Sequence, residues 1–165
     1  MIKITALAEQ VLNLARARGA TLTTAESCTG GMVAAALTDI PGASDVFIGG
    51  FVTYANQAKE HWLRVPAPTL TNHGAVSAET AQAMAEGALG TAATTMAVSI
   101  TGIAGPGGGT AEKPVGLVFI GLANTKAPTQ THQYQFAGDR ASIRQQACHE
   151  ALSLLHKALE LLPCP

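Results

Sequence analysis

The sequence predicts an α/β protein, a three-layer α/β/α sandwich around a mixed β-sheet, formed as one domain over residues 1–165. Three observations predict it. Short β-branched or apolar runs alternate with longer stretches whose apolar residues recur at helical spacing, the pattern of strands interleaved with covering helices. The run Thr94 to Thr101 is almost continuously apolar and β-branched, as a central strand covered on both faces requires. Val115 to Ala123 and Gln130 to Phe136 are joined by a turn around Asn124 to Pro128, so they read as an antiparallel hairpin that makes the sheet mixed.

The elements follow in order. Leu7, Val11, Leu14 and Ala15 mark a first helix that stops at Gly19. Thr21 to Ala25 is a short β-branched strand, and Met32, Val33, Ala36 and Leu37 trace a helix that runs to the Pro41-Gly42 break. Val46 to Tyr54 reads as a strand and Gln57 to Leu63 as a short helix ended by Pro66 and Pro68. Ser77 is placed to cap a helix that carries Ala81, Met84, Ala85 and Ala88 on one face and closes at Gly90. Asp139 is placed to cap a last, long helix with a stripe from Ile143 through Ala147, Ala151 and Leu155 to Leu162, ended by Pro163.

Composition narrows the function classes. The chain has 165 residues, enough to bury a core without disulfides or metals. Hydrophobic residues make up 47% and charged residues 13%, so part of the apolar excess is expected to be covered by a second subunit, giving a homo-oligomer, a dimer in the simplest case. The formal net charge is −1 and no Lys/Arg run occurs, which argues against a nucleic-acid partner. Cys28, Cys148 and Cys164 form no C-x-x-C pair, which argues against a disulfide framework or zinc knuckle and fits a reducing cytoplasm. Met1 to Gly19 has the charges of an amphipathic helix, not the apolar core of a signal peptide, and no run is long enough to span a bilayer, so no membrane role is expected.

Two segments carry candidate chemistry. Ala25-Glu26-Ser27-Cys28-Thr29-Gly30-Gly31 lies where a strand gives way to a helix, and the free N–H groups of a helix start favour negative charge. Ser27 offers a hydroxyl there that could attack or bind, while the plainer role for Ser27 or Thr29 is a helix cap. Gly102 to Thr110 holds five glycines in nine residues after the central strand, a place where ligands lie in open α/β sheets. It is not a P-loop, because no Gly-Lys-Ser/Thr follows. If the two preceding strands are parallel neighbours, both loops face one crevice.

A serine nucleophile needs a base. No G-x-S-x-G elbow or Ser-x-x-Lys pair is present, and His61, His73, His132, His149 and His156 are scattered without an obvious carboxylate orienter. Neither H-x-x-x-H nor H-E-x-x-H occurs, so no metal and no cofactor is expected. Tyr54 and Lys59 remain as a proton-handling pair, because a desolvated lysine near a phenol lowers its pKa and either group could take a proton from serine. The plainer alternatives are an exposed helical lysine and an edge aromatic.

The chain resembles the CinA C-terminal domain family, competence-damage-associated proteins that include nicotinamide-nucleotide amidohydrolases. The matching stretches are Thr24 to Gly31, Tyr54 to Lys59, His73 to Ser77, Ser99 to Pro106, Glu112 to Gly116 and Gly138 to Arg140, in order along nearly the whole chain. The resemblance implies hydrolysis of nicotinamide mononucleotide to nicotinic acid mononucleotide and ammonia, with Ser27 as nucleophile, Tyr54 as general base and Lys59 tuning it. It implies that backbone N–H groups around Thr29, Gly30 and Gly31, or in the loop through Thr101, Gly102 and Gly105, hold the oxyanion, and that Arg140 meets the 5′-phosphate. Many family members carry a larger N-terminal domain associated with pyrophosphatase activity, and the resemblance here covers the amidase part alone. Gly107 stands where relatives often have aspartate, the one feature that points to a second reading, a noncatalytic nucleotide-sensing module with the same pocket.

Overall fold

The computed structural model describes residues 3–165. Helix α1 (Ile4–Arg18) ends where Gly19 takes a left-handed φ of 62°, the stop expected of a glycine after the last apolar position. Strand β1 (Leu22–Glu26) leads through the Ser27 turn into α2 (Met32–Thr38), and a short 3-10 turn at Ala43–Asp45 precedes strand β2 (Phe47–Val52). Helices α3 (Asn56–Leu63), α4 (Ala67–His73) and α5 (Ala78–Ala92) follow without an intervening strand. Strand β3 (Met96–Gly102), the hairpin of β4 (Leu117–Asn124) and β5 (Ala127–Gln135), and helix α6 (Arg140–Glu160) complete the chain.

The five strands lie in the order β2, β1, β3, β4, β5. β1 pairs parallel with both β2 and β3, whereas β3 with β4 and β4 with β5 are antiparallel, so the sheet is mixed as the hairpin pattern requires. Alternating side chains feed two cores. Leu22 of β1 and Met96, Val98 and Ile100 of β3 join Val11, Val33, Leu152 and Leu155 beneath α1, α2 and α6. Ala25 and Ala97, one residue out of phase, join Leu63, Leu70 and Met84 beneath α3, α4 and α5. Helices thus cover both faces, and the three layers predicted from the sequence are present.

Three boundaries depart from the sequence reading. α4 was not expected, since Pro66 and Pro68 read as terminators. Here Pro66 precedes the helix and Pro68 sits in its first turn, where a missing N–H costs no hydrogen bond. α5 continues through Gly90 to Ala92, because Gly90 is on its open side and Ala93 makes the left-handed stop. The hairpin turn is tighter than expected, since β5 already starts at Ala127. The caps stand as read: Ser77 accepts from the Thr80 N–H and Asp139 from the Ser142 N–H. Gly87 lets α5 lie directly on α3, because a Cβ there would fall 1.8 Å from the Leu63 carbonyl oxygen.

Candidate active site

Because β1, β2 and β3 are parallel, the segments that follow them emerge at the same edge of the sheet. Ser27 follows β1, Tyr54 and Lys59 follow β2, and the glycine loop follows β3. They meet around a cavity of about 210 Å³ lined by Ser27, Tyr54, Lys59, Thr101, Gly102 and Arg140, with Cys28, Ala75, Val76 and Ala104 filling the walls. A larger groove of about 590 Å³ lies between the β4–β5 hairpin and the end of α6, and neither Ser27 nor Lys59 lines it.

The turn after β1 frees Ser27 from capping. The buried Glu26 carboxylate accepts from the N–H groups of Gly31, Val33 and Ala34 and so occupies the start of α2 with the negative charge it favours. Ser27 is 9% exposed and turns into the cavity. Gly30 and Gly31 have φ of 61° and 101°, left-handed values that the sharp turn needs. Gly30 donates to the Ser27 carbonyl and Gly31 to Glu26, so neither N–H is left for a ligand. Among the described residues, the N–H groups of Cys28 and Thr29 find no acceptor in another residue.

Lys59 reaches this hydroxyl from α3. Its Nζ lies 3.0 Å from Ser27 Oγ and donates to the Thr53 carbonyl at 2.7 Å and the Tyr54 carbonyl at 3.4 Å. It is 1% exposed, and none of the ion pairs among the described residues involves it. Burial lowers its pKa from 10.5 to about 8, against a weaker opposing pull from the Cys28 thiol. The same burial raises the Cys28 thiol to about 11, which keeps it protonated and a poor nucleophile beside Ser27.

The remaining predicted residues are arranged differently from the sequence reading. Tyr54 is 63% exposed and its hydroxyl accepts from Arg140 at 3.1 Å, so its phenol belongs to the cavity rim and Lys59 is the group on Ser27. Arg140 also donates to the Gly105 carbonyl at 2.9 Å, which ties α6 to the glycine loop. Thr101 spends its hydroxyl on the Ala75 carbonyl and thereby fixes the wall formed between α4 and α5. Gly102 lines the cavity, while Thr29, Gly30, Gly31 and Gly105 do not.

Sequence reasoning missed two residues. Glu26 lies inside the serine motif, and the signal for it is an acidic residue just before a helix start. Arg144, one turn after Arg140 on α6, donates from Nε to the Cys28 carbonyl and from a terminal nitrogen to the Thr29 carbonyl, both at 3.0 Å. Its partners are backbone atoms more than a hundred positions away, so no local pattern reveals it. Among the described residues, no group of three His, Cys, Asp or Glu is placed to hold a metal ion.

An α/β/α sandwich with a serine–lysine pair in a cleft at the ends of its parallel strands defines the class of protein. The profile of the CinA C-terminal domain family matches residues 4–159, and the chain belongs to that family. It is 52% identical over 149 residues to the nicotinamide-nucleotide amidohydrolase PncC of Escherichia coli (strain K12), covering 90% of each chain. A CinA-like protein of Myxococcus xanthus is 48% identical over 158 residues, which are 96% of this chain and 38% of that one. The chain spans under two fifths of the length of the first curated relatives it matches. The crystal structure of the competence/damage inducible protein CihA from Agrobacterium tumefaciens superposes with a TM-score of 0.92 at 46% identity, covering 95% of both chains.

Proposed function

We propose that this chain hydrolyses the carboxamide of nicotinamide mononucleotide to nicotinic acid mononucleotide and ammonia, with Ser27 as nucleophile and Lys59 as its base. The observation that carries the reading is the 3.0 Å approach of Lys59 Nζ to Ser27 Oγ inside the cavity, with the lysine pKa lowered to about 8. At neutral pH about a tenth of such a lysine is the free amine, enough for a general base. The likeness to a protein named as a nicotinamide-nucleotide amidohydrolase supports the substrate.

The chemistry runs as acyl transfer. The Ser27 hydroxyl gives its proton to neutral Lys59 as Oγ bonds to the carboxamide carbon. The carbonyl oxygen becomes an oxyanion, for which Cys28, the one residue of the Cys28 to Gly31 turn that lines the cavity, offers its N–H. Lys59 passes the proton to the amide nitrogen, the C–N bond breaks and ammonia leaves a nicotinoyl ester on Ser27. Water then attacks that ester with Lys59 again as base, and the acid is released with Ser27 and Lys59 restored. Tyr54 and Arg140, linked at the rim, hold the 5′-phosphate, since a guanidinium matches phosphate geometry. This assignment departs from the roles expected from the sequence, where Tyr54 was the base and Lys59 tuned it.

Incubation of the purified protein with nicotinamide mononucleotide, without added metal, tests the reading by measuring ammonia and nicotinic acid mononucleotide. Production that disappears in a folded Ser27→Ala variant supports it. Binding without any production overturns it in favour of a sensing module.

A homodimer and a cytoplasmic location go with this reading. β2 is an edge strand, Val46 to Ala55 holds no charged residue, and Ile48 and Val52 of the strand stand exposed. An edge without charges to guard it is suited to pairing with a second copy. A monomeric mass in light scattering at micromolar concentration rejects the dimer. The cysteines are free, which supports a reducing compartment, and among the described residues no helix is long and apolar enough to cross a membrane.

A further inference from the structure

We infer that the cavity holds one positive charge besides Arg140, so that a cationic ring on the substrate and the proton of Lys59 exclude each other. Substrate entry then frees the base, and the carboxylate of the product recaptures the proton. The inference rests on the reading of nicotinamide mononucleotide as the substrate. Its ring is a pyridinium cation with the nitrogen meta to the carboxamide. A carboxamide at Ser27 Oγ therefore brings that charge close to Lys59 Nζ, which lies 3.0 Å from the same oxygen. Two unit charges about 7 Å apart at an effective dielectric of about 20 bias each other's ionisation roughly tenfold or more.

Nothing in the cavity offsets a second cation. Its lining holds the cations Lys59 and Arg140 and no aspartate or glutamate. The Lys59 ammonium has only neutral acceptors, the Ser27 hydroxyl and the Thr53 and Tyr54 carbonyls. The Cys28 thiol beside it stays protonated, and the Tyr54 phenol accepts from Arg140. The carboxylate of the nucleophile turn, Glu26, is engaged by the N–H groups that open α2, while Arg144, on the Cys28 and Thr29 carbonyls, adds a further cation. From α3, α4 and α5, none of Glu60, His61, His73, Glu79 and Glu86 lines the cavity, and the last two line a separate groove with Arg64. Burial has already brought the lysine down to about 8, so a further push of one unit leaves it largely unprotonated above neutral pH.

The product reverses the sign. A carboxylic acid is a far stronger acid than an alkylammonium, so once the ester is cleaved the acid's proton passes to Lys59, and a carboxylate–ammonium pair stands where the amide was. The unprotonated lysine thus favours substrate and the protonated lysine favours product. Affinity for the mononucleotide rises with pH through about 8, and affinity for its acid falls over the same range. The reduced, dihydropyridine form of the mononucleotide keeps the carboxamide and the phosphate but has a neutral ring, so its affinity stays level.

The experiment measures dissociation constants between roughly pH 7 and pH 9, the range about the Lys59 midpoint. Nicotinamide mononucleotide and its reduced form are titrated onto folded Ser27→Ala, which does not turn them over, and nicotinic acid mononucleotide onto the wild type. We expect the first to bind about fivefold to tenfold more tightly at the higher pH, the second to stay within about twofold, and the third to weaken about fivefold to tenfold. Adding Lys59→Met to each background levels all three. An affinity for the oxidised mononucleotide that ignores pH, or a rise that the reduced form shares, overturns the inference, and so does a product affinity that fails to fall. Trends that persist with Lys59→Met also overturn it, because another group then carries them. If Ser27→Ala does not fold, the product titration on the wild type and on Lys59→Met decides alone. Wild-type protein that hydrolyses the mononucleotide without these trends refutes the charge exclusion and leaves the substrate standing. Absence of both hydrolysis and binding refutes the substrate and the inference with it.

Discussion

Replacing Lys59 by methionine removes a buried ammonium, and the structure sets both the size and the sign of the effect on stability. The unfolded chain holds the lysine proton up to 10.5, whereas the folded protein releases it at about 8. At roughly 1.4 kcal/mol per pK unit, keeping the charge at neutral pH costs the native state about 3 kcal/mol. Methionine has nearly the same shape without the charge, but it leaves the Thr53 carbonyl without its 2.7 Å donor, which gives back about 1–3 kcal/mol. At pH 7 the variant is therefore between equal and about 2 kcal/mol more stable than the wild type. The pH dependence is the sharper test. Between pH 8 and 10.5 the unfolded state binds more protons, so wild-type stability rises with pH, and the variant's advantage shrinks by about 1 kcal/mol between pH 7 and pH 9. Urea unfolding of both proteins at the two pH values measures the difference, and other titrating groups cancel between them. A difference identical at pH 7 and pH 9 refutes the depressed lysine, and turnover by folded Lys59→Met refutes its role as base.

Three further outcomes are expected. Arg140→Met raises KM for the mononucleotide about tenfold or more and leaves that for the riboside without phosphate nearly unchanged, because a charge-assisted hydrogen bond is lost only with the phosphate. Equal losses on both substrates reject Arg140 as the phosphate partner. Glu26→Gln lowers stability by about 2 kcal/mol, since one amide oxygen replaces a carboxylate that accepts three backbone N–H bonds, and an unchanged melting temperature counts against that cap. Gly87→Ala destabilises by about 2–3 kcal/mol through the clash with the Leu63 carbonyl, read as a lower urea midpoint at constant slope.

What was legible in the sequence depended on short-range patterns. The alternation of Leu22 and Ala25 between two cores, the caps at Ser77 and Asp139, and the stop at Gly19 are each decided within a few residues. The meeting of Ser27, Tyr54 and Lys59 in one cavity was readable only because family-like motifs and parallel strands coincide. α4 was hidden because proline signals both the end and the first turn of a helix, and only the space beneath α5 distinguishes them. The positions of Lys59 on Ser27 and of Tyr54 on Arg140 were not readable, since spacing brings both side chains near the serine without ordering them. Arg144 was invisible because backbone carbonyls carry no residue identity.

Glu26 and Ser27 are consecutive, yet they point to opposite sides of the sheet, one into the start of α2 and the other into the cavity. A single residue inserted into β1 would carry Glu26 into the place of Ser27, setting a carboxylate against Lys59 and leaving Ala25 under the start of α2. The buried amine would then be locked as an ammonium by its new counter-ion, and α2 would lose the charge that anchors it. Length variation in this family is therefore expected to gather in the exposed glycine-rich loop and the hairpin turn, while the distance from the start of β1 to Ser27 stays invariant across relatives.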